Sequence, residues 1–455
     1  MKKRKVLIAN RGEIAVRIIQ ACKALDLDTV LVVSEADQES MGARLADEVV
    51  RIGPPQAVSS YLEIHKIIDA ATRTRADAVH PGYGFLSENP DLAEACKKHA
   101  ITFIGPHAET MRQLGDKISA RRLAGNSGVP MAEGSQALRS IEDVEAGIRR
   151  IGFPAIFKAS AGGGGRGMRI VRAHEDLREA FHVASREALT AFGDPTLFLE
   201  RFIEHARHVE VQIIGDDSGK VIHLGHRDCT AQRRHQKMIE EAPPCHLPEA
   251  LRDRMLEAAV ALASGAGYNS AGTVEFLVDI DRAECYFMEV NTRIQVEHPV
   301  TEEVTGVDLV QEQIRIAFGA PLSLNQEDIA FKGHAIECRI TAEDARDDFF
   351  PSPGCIEEFV APRGDRVRVD THCYPGYTVS PFYDSLLAKL ITTGSTRDDA
   401  LANMRDALEN FRIEGIETNL PFLKFVIAQP AFLRGDIHIR WLEDSVVPAF
   451  VNSTS

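Results

Sequence analysis

No stretch of this sequence approaches the roughly 18 consecutive apolar residues a membrane-spanning helix needs. The basic residues 1–5 precede an apolar run of only four residues (6–9), too short for the core of a secretory signal. The eight cysteines are scattered singly, with no Cys-x-x-Cys pair, which argues against a disulfide frame or a thiolate zinc site. Positive charge is also in short supply. With 52 Lys+Arg against 67 Asp+Glu the formal charge is −15, so a dedicated nucleic-acid binder is not expected. No internal repeat, low-complexity tract or long linker interrupts the chain. What remains is an ordinary globular composition, 44% hydrophobic and 26% charged over 455 residues, enough for two to four domains. A cytoplasmic location, with neither membrane nor nucleic acid as partner, is the expectation.

Three styles of patterning follow one another. Residues 5–9 (KVLIA) form a short apolar run, Asn10-Arg11-Gly12 turns the chain, and Ile14, Ile18, Cys22 and Leu25 recur at helical spacing. Further strands are expected at 29–33, 76–79 and 101–104, with a helix at 90–98. Strand–helix alternation implies a parallel sheet, with ligand loops such as 80–85 (HPGYGF) at the strand C-termini. From about residue 116 the strands come in adjacent pairs, 155–160 with 168–171 and 274–279 with 285–290, indicating antiparallel α+β architecture. From 332 there are short strands, Pro/Gly turns and a helix after Thr396. The expected units are 1–115, 116–331 (with a mobile segment at about 131–204) and 332–446.

Residues 161–167 (AGGGGRG) match G-x-G-x-x-G formally, but Met168-Arg169-Ile170-Val171-Arg172 alternates apolar and polar. A strand therefore follows, not the helix that a dinucleotide fold requires. Strand, glycine loop, strand is the pattern of a flap. Consecutive glycines expose backbone N–H groups and admit positive φ, so they can fold over phosphate oxygens; a loose hairpin tip is the alternative. Lys158, just upstream, supplies a point charge for a phosphate.

The 274–279/285–290 hairpin carries the most chemistry. If its turn is centred on Arg282, residues whose numbers sum to 564 face one another, and Glu275 and Glu289 do so. By the period of two, Asn291 shares a face with Glu289. Opposed carboxylates repel unless a divalent cation sits between them, and Mg²⁺ takes one or two carboxylates plus substrate phosphates. An exposed face that tolerates both charges is the bland alternative. Beyond Asn291, Arg293 offers a rigid donor fork for a small planar oxyanion, and Glu297 a candidate general base. Pro299 ends any regular strand.

Residues 227–237 (RDCTAQRRHQK) form a basic run without the interleaved aromatics of a base-stacking surface. It is either a solvated face or a cleft wall that concentrates anions. The pairs His205/His208 and His223/His226 have helical i, i+3 spacing, but no acidic or thiol neighbour in sequence supports metal ligation.

With these residues in view the chain resembles the biotin carboxylases of the ATP-grasp superfamily. The likeness runs from residues 9–15 (ANRGEIA) through 80–89 (HPGYGFLSEN), 158–169, 227–243, 288–302 and 383–385 (YDS) to 415–419 (GIETN), and the Met-Glu-x-Asn-x-Arg-x-Gln-Val-Glu-His-Pro run is its most specific part. It implies a Rossmann-like N-terminal domain, a central ATP-grasp domain with a glycine-rich lid, and a C-terminal, mostly antiparallel β domain with helices. For ATP it implies Lys117, Lys158, Gly164 and Gly165 at the phosphates, Glu200, Arg201 and Ile203 at the adenine hinge, and His208, Gln232, His235 and Leu277 around the nucleotide. Glu275, Glu289 and Asn291 would hold Mg²⁺ or Mn²⁺. Lys237, Arg293, Gln295 and Val296 would form the bicarbonate pocket, with Glu297 the base and Arg339 facing biotin. The 201 position is usually lysine in the family; since the hinge works through backbone groups, Arg201 should serve equally.

No Met-Lys-Met biotinylation motif is present, so biotin should arrive on a separate carrier protein, with carboxyltransferase subunits as further partners and a homodimer as the expected assembly. The implied reaction is ATP- and bicarbonate-dependent carboxylation of biotin through carboxyphosphate, most simply within an acetyl-CoA carboxylase. A pyruvate or other acyl-CoA carboxylase, a different ATP-grasp carboxylate ligase, and a nucleotide-binding subunit without catalysis are the alternatives.

Overall fold

The computed structural model describes residues 3–160 and 168–453, and for residues 117 and 118 the backbone alone. Near the N-terminus, Lys5–Ile8 (β1), Asp28–Ser34 (β2), Glu48–Gly53 (β3), Ala78–His80 (β4) and Thr102–Phe103 (β5) form a parallel sheet in the order β3-β2-β1-β4-β5. The central strands are apolar on both faces because helices cover both. Ile14 and Ile18 of the helix Gly12–Ala24 pack on one side, and Ile67 and Ile68 of Ile64–Thr74 on the other. β3 and the helix Ile64–Thr74 were not expected. β3 is an edge strand whose EVVRIG buries only two residues, so its pattern carries little signal. The helix Pro90–Lys98 forms as expected, with Asn89 accepting from the amides of Asp91 and Leu92.

Ala155–Ala159 (β6), Arg169–Val171 (β7) and Leu197–Arg201 (β8) make a small antiparallel sheet, ordered β7-β6-β8. The helices Ile141–Ile151 and Leu177–Phe192 give it a separate core around Phe157, Phe181 and Leu199. The glycine loop itself, with Gly164 and Gly165, lies outside the described residues.

Eight strands form the main sheet, all antiparallel. They include Ala206–Gly215 (β9), Val221–Arg233 (β10), Gln236–Ala242 (β11), Ala271–Asp279 (β12), Glu284–Asn291 (β13) and His334–Thr341 (β14). The order is β13-β12-β9-β10-β11-β14, followed by Leu386–Gly394 and Val367–Thr371. The change of patterning at residue 332 thus falls inside one continuous sheet. β9 shows how the sheet builds a site. Val209, Val211 and Ile213 enter the apolar core against the helix Glu249–Gly265, and the alternate residues Glu210 and Gln212 face the opposite way, also fully buried. A buried polar face must find partners within the protein. Among the described residues no helix is long and apolar enough to cross a membrane, and all eight cysteines are free.

Candidate active site

The β12–β13 hairpin places Glu275 opposite Glu289 and Thr273 opposite Asn291, the register expected from a turn centred on Arg282. The register then slips by one. Phe276 faces Phe287 and Leu277 faces Tyr286, so the rule of numbers summing to 564 fails below this point. The surplus residue, Met288, forms a bulge beside the two carboxylates, a feature that bends a strand and re-aims its side chains. Glu275 and Asn291 are buried, whereas Glu289 is exposed.

These residues line one wall of a cleft of about 1170 Å³. Around the same cleft stand Lys158, Glu200, Arg201, Ile203, His208, Gln232, His235, Lys237, Leu277, Arg293, Gln295, Val296 and Arg339. Lys117 opens the helix Lys117–Asn126, and its side chain is outside the described atoms. Glu297 lies just beneath the wall, with no exposed surface.

Beneath the cleft an ionic network joins the strands. Lys237 on β11 donates to Glu297 at 2.6 Å, Glu210 at 2.7 Å and Glu275 at 3.0 Å. Arg339 on β14 donates to the other oxygen of Glu297 at 3.0 Å and to Glu240 at 2.6 Å. One buried carboxylate therefore bridges two cations from different strands. Burial alone would raise its pKa; Lys237, then Arg339 and Arg227, outweigh that and hold Glu297 well below the usual carboxylate range. Glu275 is pushed the same way, since Lys237 and His208 overcome its desolvation. Lys237 is raised, because the surrounding anions exceed the cost of burying its charge.

The turn after β13 is equally ordered. Arg293 donates to Gln295 at 2.7 Å, to Asn291 at 3.1 Å and to Glu88 at 3.1 Å, and the amide of Thr292 donates to Glu88 at 3.0 Å. Gln295 donates to Glu275 at 3.2 Å. Lys389, fully buried and paired with Glu13 at 3.1 Å, donates to the Val296 carbonyl at 3.0 Å. Pro299 then sits at the start of the helix His298–Thr305, where its missing N–H costs nothing. On the opposite wall Glu200 accepts from Lys158 at 2.6 Å and from Arg121. Burial raises Glu200, but these two cations leave it lowered overall.

Neither reading of the basic run holds throughout. Arg227 has no exposed surface and serves the interior, bonded to Glu210 at 2.5 Å, Gln212 at 2.6 Å, Thr273 at 2.9 Å and Thr301 at 3.0 Å. Arg233 stacks on Phe349 with 4.2 Å from guanidinium to ring centroid, and Arg234 pairs with Asp348 at 3.0 Å. The run is a hairpin, β10–β11, whose two-residue turn places Arg234 and His235 at positive φ. Such turns favour Asn-Gly, so nothing in Arg234-His235 announces one. The dismissal of His208 for want of acidic neighbours is also corrected. Its Nε2 lies 3.3 Å from Glu275 and 4.0 Å from Glu210, which the sheet supplies from a neighbouring strand and from two residues on. Among the described residues His223 and His226 gather no acidic ligand, while His205 meets Asp281 at 3.2 Å on the surface. The sequence reading missed Glu210, Glu240, Arg121 and Lys389; only Glu210, in the alternation Val209-Glu210-Val211-Gln212-Ile213, carries a local signal.

The donor set suits a hard cation: two facing carboxylates and an amide oxygen at the cleft wall, one carboxylate held firmly ionised. The neighbouring cations suit phosphate and a small oxyanion.

Known proteins resemble the chain over nearly its whole length. Residues 2–111 match the family model of the biotin carboxylase N-terminal domain, residues 116–325 that of the carbamoyl-phosphate synthase L chain ATP-binding domain, and residues 337–444 that of the biotin carboxylase C-terminal domain. The chain is 50% identical to biotin carboxylase 1 of Bacillus subtilis over 443 residues, covering 97% of this chain and 98% of the relative. It is 48% identical to a pyruvate carboxylase subunit of Methanothermobacter thermautotrophicus over 441 residues, covering 97% and 89%. The biotin carboxylase domain dimer of Hydrogenobacter thermophilus 2-oxoglutarate carboxylase, solved with MgADP, ADP and bicarbonate, superposes with a TM-score of 0.92 at 45% identity over 99% of each chain.

Proposed function

The chain belongs to the biotin carboxylase family, and on that premise we propose that it uses ATP and bicarbonate to carboxylate biotin carried on a separate protein, with release of ADP. The observation that carries this reading is Glu297, a buried anion whose two oxygens join Lys237 and Arg339, two cations that line the same cleft. Bicarbonate held by Lys237, Arg293, Gln295 and the backbone of Val296 competes for the positive field that keeps Glu297 acidic. Substrate arrival thus raises the basicity of Glu297 at the moment it is needed, and it takes the bicarbonate proton. The bicarbonate oxygen attacks the γ-phosphorus and ADP leaves, giving carboxyphosphate. That intermediate breaks down to CO₂ and phosphate, and the phosphate removes the N1′ proton of biotin. Arg339 stabilises the resulting ureido enolate until it captures CO₂.

Lys158 and the Glu200–Ile203 hinge hold the nucleotide, with Lys117, Gly164 and Gly165 as its expected phosphate contacts. A divalent ion on Glu275, Glu289 and Asn291 would neutralise charge on the phosphate oxygens. Carboxylating turnover is tested by ADP release from the purified chain: it should require bicarbonate and rise on adding free biotin, whereas release indifferent to both would sink the proposal.

Glu275→Gln should raise the Mg²⁺ concentration for half-maximal activity by about tenfold or more, since one of two carboxylate ligands is lost. An unchanged metal titration would remove Glu275 from the metal site. Acetyl-CoA is our first choice of final acceptor, reached through a carboxyltransferase partner from a homodimer of this chain; the Hydrogenobacter thermophilus relative is itself a dimer. The comparably similar relative from a pyruvate carboxylase makes pyruvate the second reading. The biotinylated protein that co-purifies with the chain decides between them.

A further inference from the structure

β11 and β14 bring together two carboxylates that the proposed carboxylation leaves without a role. Glu240 stands directly opposite Glu337, and neither has exposed surface. Opposed residues in an antiparallel pair have Cβ atoms about 5 Å apart, close enough for two ionised carboxylates to repel strongly in a dry interior. Arg339 donates to one oxygen of Glu240 at 2.6 Å. The other oxygen of Glu240 and both oxygens of Glu337 have no hydrogen-bond partner among the described residues.

The cations nearby are committed elsewhere. On the adjoining strand Leu386–Gly394, Ile391 lies opposite Glu337 and Lys389 opposite Arg339; the Lys389 ammonium is taken by Glu13 and the Val296 carbonyl. Lys237, on the same strand as Glu240, is taken by Glu210, Glu275 and Glu297. From the helix His298–Thr305, Val300 and Val304 pack on Ala242, Ala335 and Ile391, which flank the pair, while His298 turns its Nδ1 to the Gln295 carbonyl at 2.8 Å. Glu297, just before that helix, adds only more negative charge, and the buried Cys229 thiol of β10 is turned to Glu297 at 3.7 Å. A proton is the partner that remains: one shared between the pair joins the free oxygen of Glu240 to one oxygen of Glu337 and leaves the second oxygen of Glu337 as a neutral carbonyl, far cheaper to bury than a carboxylate.

We propose that Glu337 is a neutral acid donating its proton to Glu240, and that this shared proton fixes the charge behind Arg339, making Glu337 a positioning residue for the biotin-facing guanidinium. The proposal extends the reading of Arg339 given above. With the proton in place Arg339 answers two anions, Glu240 and Glu297. Without it a third negative charge enters the same buried cluster and weakens the field left for the enolate. Burial drives both carboxyls upward, Glu240 to about 7 against the pull of Arg339 and Glu337 well above the usual range against the pull of Lys389. Carboxyl groups raised by folding favour the native state at low pH, and that contribution is lost as pH rises through the folded-state titration. Stability should therefore fall as pH rises from the ordinary carboxylate range, about 4–5, up to the folded-state titration, and biotin carboxylation should weaken as pH rises through that titration.

Infrared difference spectra of the whole chain supply the direct test. At neutral pH the wild type should show the carbonyl stretch of a protonated carboxylic acid, shifted in D₂O and weaker in Glu337→Gln. The amide of that variant donates the same hydrogen bond, so its biotin-dependent kcat should stay within about twofold at neutral pH and its alkaline decline should move to higher pH. Glu337→Leu, which cannot donate, should lose about tenfold in biotin-dependent kcat, the equivalent of one hydrogen bond to a charged group, with KM for ATP unchanged. The proposal is overturned if the wild type lacks the band, if Glu337→Gln keeps it undiminished, or if Glu337→Gln is as impaired as Glu337→Leu. Should Glu337→Leu fail to fold, the band and the Glu337→Gln profile still decide. A band present in a chain that shows no biotin-dependent turnover would leave the shared proton standing and remove the carboxylase reading instead.

Discussion

Glu297→Gln should lower bicarbonate-dependent ATP cleavage by about 10²–10⁴-fold, the usual worth of a positioned general base, while ATP affinity shifts by less than about twofold. The amide is nearly isosteric and can keep one hydrogen bond, but it cannot accept a proton. Lys237 retains Glu210 and Glu275, and Arg339 retains Glu240, so neither cation is left wholly unpaired. Glu200 and Arg201, proposed above for adenine, stand on β8 in the small sheet, remote in chain connectivity from the helix that Glu297 precedes. ADP release with and without bicarbonate, beside equilibrium ATP binding, separates the two effects, and wild-type turnover in the variant would end the role of Glu297 as base. The pH dependence runs in a defined direction. A carboxylate depressed by folding contributes stability above its unfolded pKa and loses it as pH falls through the lower folded value. The ionic network of the unliganded chain should therefore hold at mildly acidic pH and fail only in strong acid.

How much of this was legible depended on whether a residue's partner lay nearby in sequence. The hairpin could be registered from its own turn, and a period of two then placed Glu275, Glu289 and Asn291 on one face. Even there the bulge at Met288 could not be placed, because Tyr286, Phe287 and Met288 are three largely apolar residues in a row, with no alternation to show where the register slips. The basic run failed for the opposite reason. Nothing in Arg227-Asp228-Cys229-Thr230 reveals that a strand 15 residues earlier turns Glu210 and Gln212 toward the same interior, or that Thr301 arrives from a helix far downstream. Glu240 and Glu337 are likewise neighbours only because β11 pairs with β14. Short-range pattern therefore reached the residues of the cleft wall, and long-range strand order decided which charges are buried beneath them.

That distinction predicts opposite outcomes for two arginines seven residues apart. Arg227→Met should destabilise the chain by about 3–5 kcal/mol, the range found when one partner of a buried ion pair is removed. Met approximates the volume but supplies none of the donors that hold Glu210, Gln212, Thr273 and Thr301, three of which belong to strands β9 and β12 and the fourth to the helix His298–Thr305. Glu210 would keep Lys237 at 2.7 Å, which limits the loss but draws Lys237 away from Glu297, so bicarbonate-dependent turnover should fall together with stability. Arg234→Ala removes a pair in which both side chains are about two-thirds exposed, and solvent screening holds that change below about 1 kcal/mol. Urea unfolding midpoints of the two variants, followed by one probe, make the comparison. Equal shifts would mean that the Arg227 cluster is not the buried tie between the sheet and the helix behind Glu297, and the order of the site would then need another source.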